Sequence, residues 1–576
     1  MTYRAPVSDI EFMLDHVIGA GVLADTERYA ETTGDLRSAI LIEAARMAEE
    51  ALAPLQRNGD LDPARLENGV VRTSKGFDQG YRAIAEGGWV SVAAPTEYGG
   101  MGLPITVQTV VNEMMSSACL SLSLNPLMSQ GQIEALEHHA SDEIKNLYLP
   151  KLIEGTWTGT MNLTEGNAGS DVGALRSKAV PNDDGTFAIS GQKIYISWGD
   201  HDLAENICHL VLARLPDGAP GTKGLSLFLV PKFIPDEAGN PGVANTLKPI
   251  SLEHKLGLHG SPTAVMEYEN AKGWIIGNPG GGIAAMFTMM NNARLGVGVE
   301  GLAVAEAATQ KAVAFAMERK QGKTPLGDKG TGAIIDHADV RRMLMTMKAL
   351  TASARAICLD TAFSLDMAKA GAEADSRAAW KARAAFLTPI CKAFSTDTGN
   401  EVAHLGVQVH GGMGFVEETG AAQYSRDVRV TAIYEGTNGI QAMDLVGRKL
   451  SDGGEAARAM LAEIATGADG ASAAGETADL GAQVRAAHDQ VAAATDLLLS
   501  ADTLNDRFAG AAAYLRAWAL LLGGHYLLKA ATKDAGRVPL ARYHIRHLMP
   551  QIGGLLASAT AGAEDLYALT AEELAS

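Results

Sequence analysis

Two short stretches hold the side chains best suited to chemistry. In IYEGTNGIQ, Ile433 to Gln441, one acidic residue, Glu435, stands between a β-leaning run, VTAIY, and a turn, with a helix expected after it. By itself a turn glutamate reads as solvated, because most glutamates are exposed. In MNLTEGNAGSDVGALRSKA, Met161 to Ala179, the glycines Gly166, Gly169 and Gly173 accompany Thr164, Ser170 and Asp171. Backbone N–H groups and hydroxyls in such a loop can approach a flat heteroaromatic ligand and its polar edge. An ordinary loop leading into a β domain has the same composition.

Other chemistry-like spacings fail on context. GVGVEG, Gly296 to Gly301, satisfies G-x-G-x-x-G but lies inside a helical pattern with no strand before it, so close helix packing is the reading. QGKT, Gln321 to Thr324, imitates the end of a phosphate-binding loop, yet Met317 stands where its first glycine must be. His138 and His139 are adjacent, and HLGVQVH, His404 to His410, has no acidic partner at ligand spacing, so no metal is expected.

Behind these motifs stand several structural units, since 576 residues exceed what one hydrophobic core organises. Helical periodicity over Asp35 to Arg57 opens a mostly helical unit, taken as residues 1–160. Short β-rich runs such as KAVPNDDGTFAISGQKIYISWGD and LSLFLVPKF then define a β domain, 161–276. Long helices return over 277–450, and 451–576 reads as a Gly/Ala/acid-rich linker followed by Ala/Leu helices.

Composition narrows the function classes. Hydrophobic residues at 47% and charged residues at 20% indicate a globular chain. With 48 basic against 67 acidic side chains the formal charge is -19, which repels nucleic acid. The four scattered cysteines fit a reducing, cytoplasmic setting. The opening residues meet acids before any long apolar run, unlike a signal peptide. AWALLLGGHYLL has 12 residues with a histidine inside, below the ~20 that span a bilayer, so it is expected to be a core helix and no membrane is implied.

The order LTEGNAGSD, ISGQKIYISWGD, LGLHGSPTA, QVHGGMGFVEETG and YSRDVRVTAIYEGTNGIQ closely resembles the acyl-CoA dehydrogenase family, from EYGGMGL to about Arg448. The resemblance implies an α+β, mostly α fold: a helical N-terminal domain, a central β domain, a C-terminal four-helix bundle and an extra C-terminal helical domain. It also implies FAD as cofactor, an acyl-CoA substrate, an electron-transfer flavoprotein as acceptor and a homo-oligomer, expected to be a dimer.

Carried over by motif, the resemblance puts Leu163, Thr164, Tyr195, Ile196 and Ser197 against the isoalloxazine, with Ser170 near both flavin and CoA. Gln408, Gly411 and Gly412 would touch a neighbouring subunit's flavin, with Arg319 near its pyrophosphate. Thr437 and Asn438 would meet the adenylate side, and Asn291 and Arg294 the substrate. By the same resemblance, Glu435 matches the base that takes the α-proton of the thioester.

Two departures qualify this picture. ERKQGKTPLG lacks the phenylalanine of R-x-x-F-G-x-P, which moves Gly322 one residue closer to Arg319. The extra tail resembles longer relatives, and the text as a whole is most similar to those acting on 3-methylmercaptopropionyl-CoA in dimethylsulfoniopropionate breakdown. Dehydrogenases of other acyl-CoAs, an acyl-CoA oxidase and an alkylation-response-like DNA-binding flavoprotein are the alternatives. The last needs a basic face from Arg537, Arg542 and Arg546, but residues 481–576 hold eight Lys/Arg against nine Asp/Glu.

Overall fold

The computed structural model describes residues 3–326, 331–473 and 475–576, and the chain divides into two compact units. The first is Ala39–Gly296 with a few N-terminal residues; the second joins Pro6–Ser38 to Val297–Ser576.

The first unit begins helical. Helix α1 (Ile105–His139) is buried along almost its whole length and is kinked at Cys119. Helix α2 (Asp142–Glu154) starts where the Ser141 hydroxyl accepts from Ile144 N and stops at left-handed Gly155. A small hairpin, Arg65–Glu67 with Val70–Arg72, interrupts the helices.

The seven-stranded sheet follows: β1 (Trp157–Asn162), β2 (Lys178–Pro181), β3 (Phe187–Ser197), β4 (Asn206–Arg214), β5 (Leu225–Pro231), β6 (Leu247–Leu252) and β7 (Thr263–Ile276). Its order is β6-β7-β3-β2-β4-β1, and β5 joins β4 to β7, so the five strands β7, β3, β2, β4 and β5 close into a ring. Alternating inward residues fill it, among them Ile189, Val211, Phe228, Met266 and Tyr268. The sheet begins at Trp157, four residues inside the stretch expected to be helical.

Helix α3 (Gly282–Glu318) belongs to the first unit up to Gly296 and to the second from Val297. The second unit packs α4 (Ala338–Ala370) along α5 (Ala374–His410), and α3 lies close on α5. A methyl group on Gly298 would sit 2.9 Å from Cys391 Sγ, and one on Gly301 would sit 2.4 Å from the Ser395 carbonyl oxygen. The GVGVEG glycines are therefore a helix-packing surface, as their context implies.

The rest of this unit corrects two expectations. VTAIY is not extended: Ala421–Val428 is α-helix and Arg429–Ala432 a 3-10 turn, with Thr431 Oγ1 donating to the Val428 carbonyl at 2.7 Å. The β-branched residues satisfy themselves inside a helical turn, so packing overrides strand propensity. The supposed linker shrinks to Ser451–Gly454, because α7 (Glu455–Ser472) starts at once. Asp452 accepts from Gly454 N and Glu455 N, and Ala457, Met460, Leu461, Ile464 and Ala468 line one buried stripe.

The tail is locked to the bundle rather than appended to it. After α8 (Ala478–Leu499), α9 (Leu504–Lys533) includes AWALLLGGHYLL as a buried core helix. Arg383 of α5 bridges Asp360 of α4 at 2.6 Å and Glu463 of α7 at 2.5 Å, while Tyr526 of α9 donates to Asp360. No helix among the described residues is long and apolar enough to cross a membrane, and no cluster of three metal-binding side chains occurs among them.

Candidate active site

Each unit contributes one set of predicted residues. In the first, β1 ends at Asn162 and the chain turns through Leu163, Thr164 and Glu165. The Glu165 carboxylate accepts from Arg176 N (2.7 Å), Ser177 N (3.0 Å), Ser177 Oγ (2.6 Å) and Lys193 Nζ (2.9 Å). Lys193, on β3, also donates to the Leu163 carbonyl at 3.0 Å, and Ile194 N donates to the Thr164 carbonyl at 2.9 Å.

These bonds draw Leu163 and Thr164 to the end of β3, where Tyr195, Ile196 and Ser197 lie. Leu163 and Ile196 are buried, Thr164 and Ser197 half-buried, and Tyr195 and Ser170 exposed. Burial by itself would raise the Glu165 carboxyl, but Lys193, Ser177 and the Arg176 N–H outweigh it and hold the group below its ordinary value. A Cβ on Gly166 or Gly169 would meet no heavy atom within 4 Å, so the loop borders open space. Hydroxyls and a glycine-lined opening beside a rigid strand end fit a flat cofactor such as FAD.

In the second unit Glu435 sits half-buried at φ 55, followed by Gly436 at φ 80. Two successive left-handed residues make a sharp turn before α6 (Asn438–Asp444), and Gly at the second position relieves the steric cost there. Gln441 Nε2 donates to the Glu435 carbonyl at 3.1 Å, and Lys392 Nζ donates to the Gly436 carbonyl at 2.9 Å. Thr437 Oγ1 caps α6 by accepting from Ile440 N.

Asn438 looks inward. Its Oδ1 accepts from Lys392 Nζ at 2.9 Å and its Nδ2 donates to Asp397 Oδ1 at 2.7 Å. Its side chain therefore builds the turn.

Phe315 of α3 stacks on His410 of α5 with ring centroids 4.4 Å apart. The stack brings together the ends of these helices, where Arg319, Gln408, Gly411 and Gly412 are all exposed. Arg294 is buried in the first unit, its guanidinium 5.9 Å from the Phe287 ring. The Asn291 side chain lies outside the described residues.

Backbone geometry gives an independent mark. Among the described residues six non-glycines have positive φ, and four of them (Tyr195, Trp198, Leu258, Glu435) fall inside the motifs singled out in the sequence. Such conformations cost about 1–3 kcal/mol each and gather at functional sites.

Sequence reasoning did not find the supporting residues Glu165, Lys193, Lys392, Gln441 and Glu300. One signal was available: Glu300 is a lone charge in the apolar run LGVGVEGLAVA. Two of the three arginines of the face required for DNA binding are paired, Arg537 with Asp9 at 2.9 Å and Arg546 with Asp479 at 2.6 Å.

Comparison with known proteins gives four family matches in chain order. Residues 37–156, 160–271 and 280–450 match the N-terminal, middle and C-terminal domains of acyl-CoA dehydrogenase, and 458–570 match "Acetyl-CoA dehydrogenase C-terminal like". The 3-methylmercaptopropionyl-CoA dehydrogenase of Ruegeria pomeroyi is 48% identical over 89% of this chain and 88% of its own length. Among solved structures, Caenorhabditis elegans ACDH-11 in complex with C11-CoA aligns with a TM-score of 0.78 at 21% identity, covering 94% of this chain and 91% of that one. An acyl-CoA dehydrogenase complexed with FAD from Bacillus anthracis aligns with a TM-score of 0.75 at 20% identity, covering 95% and 91%.

Proposed function

The chain belongs to the acyl-CoA dehydrogenase family, and from that premise we propose that it oxidises 3-methylmercaptopropionyl-CoA to 3-methylthioacryloyl-CoA with Glu435 as the base. The observation that carries the substrate is the 48% identity to the Ruegeria pomeroyi enzyme, sustained over 89% of the chain. The family is FAD-dependent. When bound, the flavin supplies the acceptor for the β-hydride.

The chain's own residues supply the rest. Glu435 takes the α-proton, so the substrate loses one proton and one hydride and gains a C=C bond. Gln441 and Lys392 hold the turn so that the carboxylate does not have to be ordered at the moment of reaction. The Glu165–Lys193 pair fixes the loop that receives the ring, with Thr164, Ser197 and Ser170 as its polar contacts. Arg294 and Asn291 serve the acyl-CoA.

Gln408, Gly411 and Gly412 serve the flavin of a second copy in a homodimer. The exposed Met413 and Phe415 beside them, 49% and 88% accessible, support that reading. Electrons leave to an electron-transfer flavoprotein, and the enzyme works in the cytoplasm.

Anaerobic mixing of the yellow protein with 3-methylmercaptopropionyl-CoA and with straight-chain acyl-CoAs tests the proposal. Flavin bleaching is expected to be fastest with the thioether. Faster bleaching by a long straight chain would move the substrate elsewhere, and undiminished bleaching by Glu435→Gln would move the base.

A further inference from the structure

Glu300 has no part in the mechanism above, yet it is an enclosed carboxyl bonded to the residue before Glu435. It lies on α3, 1% exposed, among small apolar residues. The Tyr434 hydroxyl donates to Oε2. Oε1 is also buried and receives no hydrogen bond from any described residue. A carboxylate with one oxygen unsatisfied in such a place is costly, whereas the neutral acid is much less so.

The surrounding charges agree. Burial pushes the Glu300 carboxyl up to about 8; the hydrogen bond from Tyr434 opposes this, the charge of Glu435 adds to it, and the Lys392 ammonium on α5 opposes it. Tyr434 immediately precedes Glu435, so its hydroxyl connects the left-handed turn directly to α3. The Tyr434 phenol is itself raised well above its usual range, by burial first and by Glu300 next, so it stays a donor.

We propose that Glu300 is a positioning residue for the dehydrogenation: locked to Tyr434 as a neutral acid, it ties the Glu435 turn to α3. The inference rests on Glu435 being the base. The charge of Glu435 opposes ionisation of Glu300, and the repulsion between like charges is mutual. With Glu300 neutral, Glu435 is free to be the ionised partner. Once Glu300 ionises, its charge strengthens the hold of Glu435 on a proton, and proton abstraction becomes faster.

The test measures single-turnover bleaching of the FAD-loaded chain by 3-methylmercaptopropionyl-CoA over roughly pH 6 to 9.5, spanning the Glu300 titration. The parent enzyme is expected to show a rise with its midpoint near pH 8. Glu300→Gln, a neutral isostere, is expected to lose that rise. Glu300→Ala should bleach at least about tenfold more slowly while keeping its flavin, and the Gln variant should recover most of that loss.

Infrared spectroscopy gives a second readout that needs no turnover. A protonated-carboxyl band is expected at neutral pH, disappearing through about pH 8 and absent from Glu300→Gln. A flat profile in the parent, or no such band, overturns the inference even if Glu300→Ala fails to fold. An inactive Glu435→Gln beside parent-like rates and profiles in both Glu300 variants overturns it while leaving Glu435 as the base. An active Glu435→Gln overturns the base itself.

Discussion

Glu165 in the first unit and Glu300 in the second are both buried, at 6% and 1% exposure, and both lie beside predicted flavoenzyme motifs. Their environments give them opposite charge states. Glu165 has an ammonium, two backbone N–H groups and a hydroxyl on its oxygens, and stays ionised. Glu300 has one phenol and a neighbouring carboxylate, and is pushed toward neutrality. Burial acts in the same direction on both; the count of donors decides the outcome. The first arrangement holds a loop rigid, and the second sets a neutral acid beside the Glu435 turn.

The largest effect expected is on chemistry. Glu435→Gln should lower flavin bleaching by about 10²–10⁴-fold with colour retained, measured by anaerobic stopped flow. On the Glu165 side, Lys193→Met leaves a buried charge without its partner and should cost about 3–5 kcal/mol, read from denaturant unfolding. The double variant Lys193→Met/Glu165→Gln should recover part of that loss. If it does not, the pair acts through shape rather than charge.

A smaller change is expected from Gly301→Ala, which adds a methyl group to the helix that carries Glu300, 2.4 Å from the Ser395 carbonyl oxygen of α5. Overpacking there should destabilise by about 1–3 kcal/mol, visible as a lowered Tm. Tyr434→Phe removes the hydrogen bond that ties Glu300 to the turn and should cost about 1 kcal/mol in stability.

The smallest effect is a difference in pH response. Glu165 is depressed in the folded state, so its stabilising contribution is present above the unfolded carboxyl value and is lost as pH falls through the lower folded value. Glu300 is raised, so it weakens stability increasingly above the unfolded carboxyl value, until pH passes its folded value of about 8. Hydrogen exchange measured across acid and alkaline pH should therefore loosen the 163–177 loop on acidification and the Glu435 turn on the alkaline side. The same response in both regions would erase the contrast.

Much of the fold was legible because its signals are local. Helical periodicity over Asp35 to Arg57, the Gly- and Asp-punctuated strands after Lys178, and the apolar run in α9 each report burial through spacing alone. VTAIY misled because β-branched residues prefer strands only when no packed helical turn accepts them. The Gly/Ala-rich stretch after Leu450 misled because Ala is both a linker residue and the best helix former, and only the partners of α7 distinguish the two roles.

The sequence by itself determined the order of units, the family and the identity of Glu435 as the carboxylate in the turn, since motifs and periodicity are properties of neighbours along the chain. Only the tertiary structure decided which carboxyls are charged. Glu165 meets Lys193 from 28 positions away, and Glu300 meets Tyr434 from 134 away. Electrostatic environment is set by distance in space, which no local pattern records.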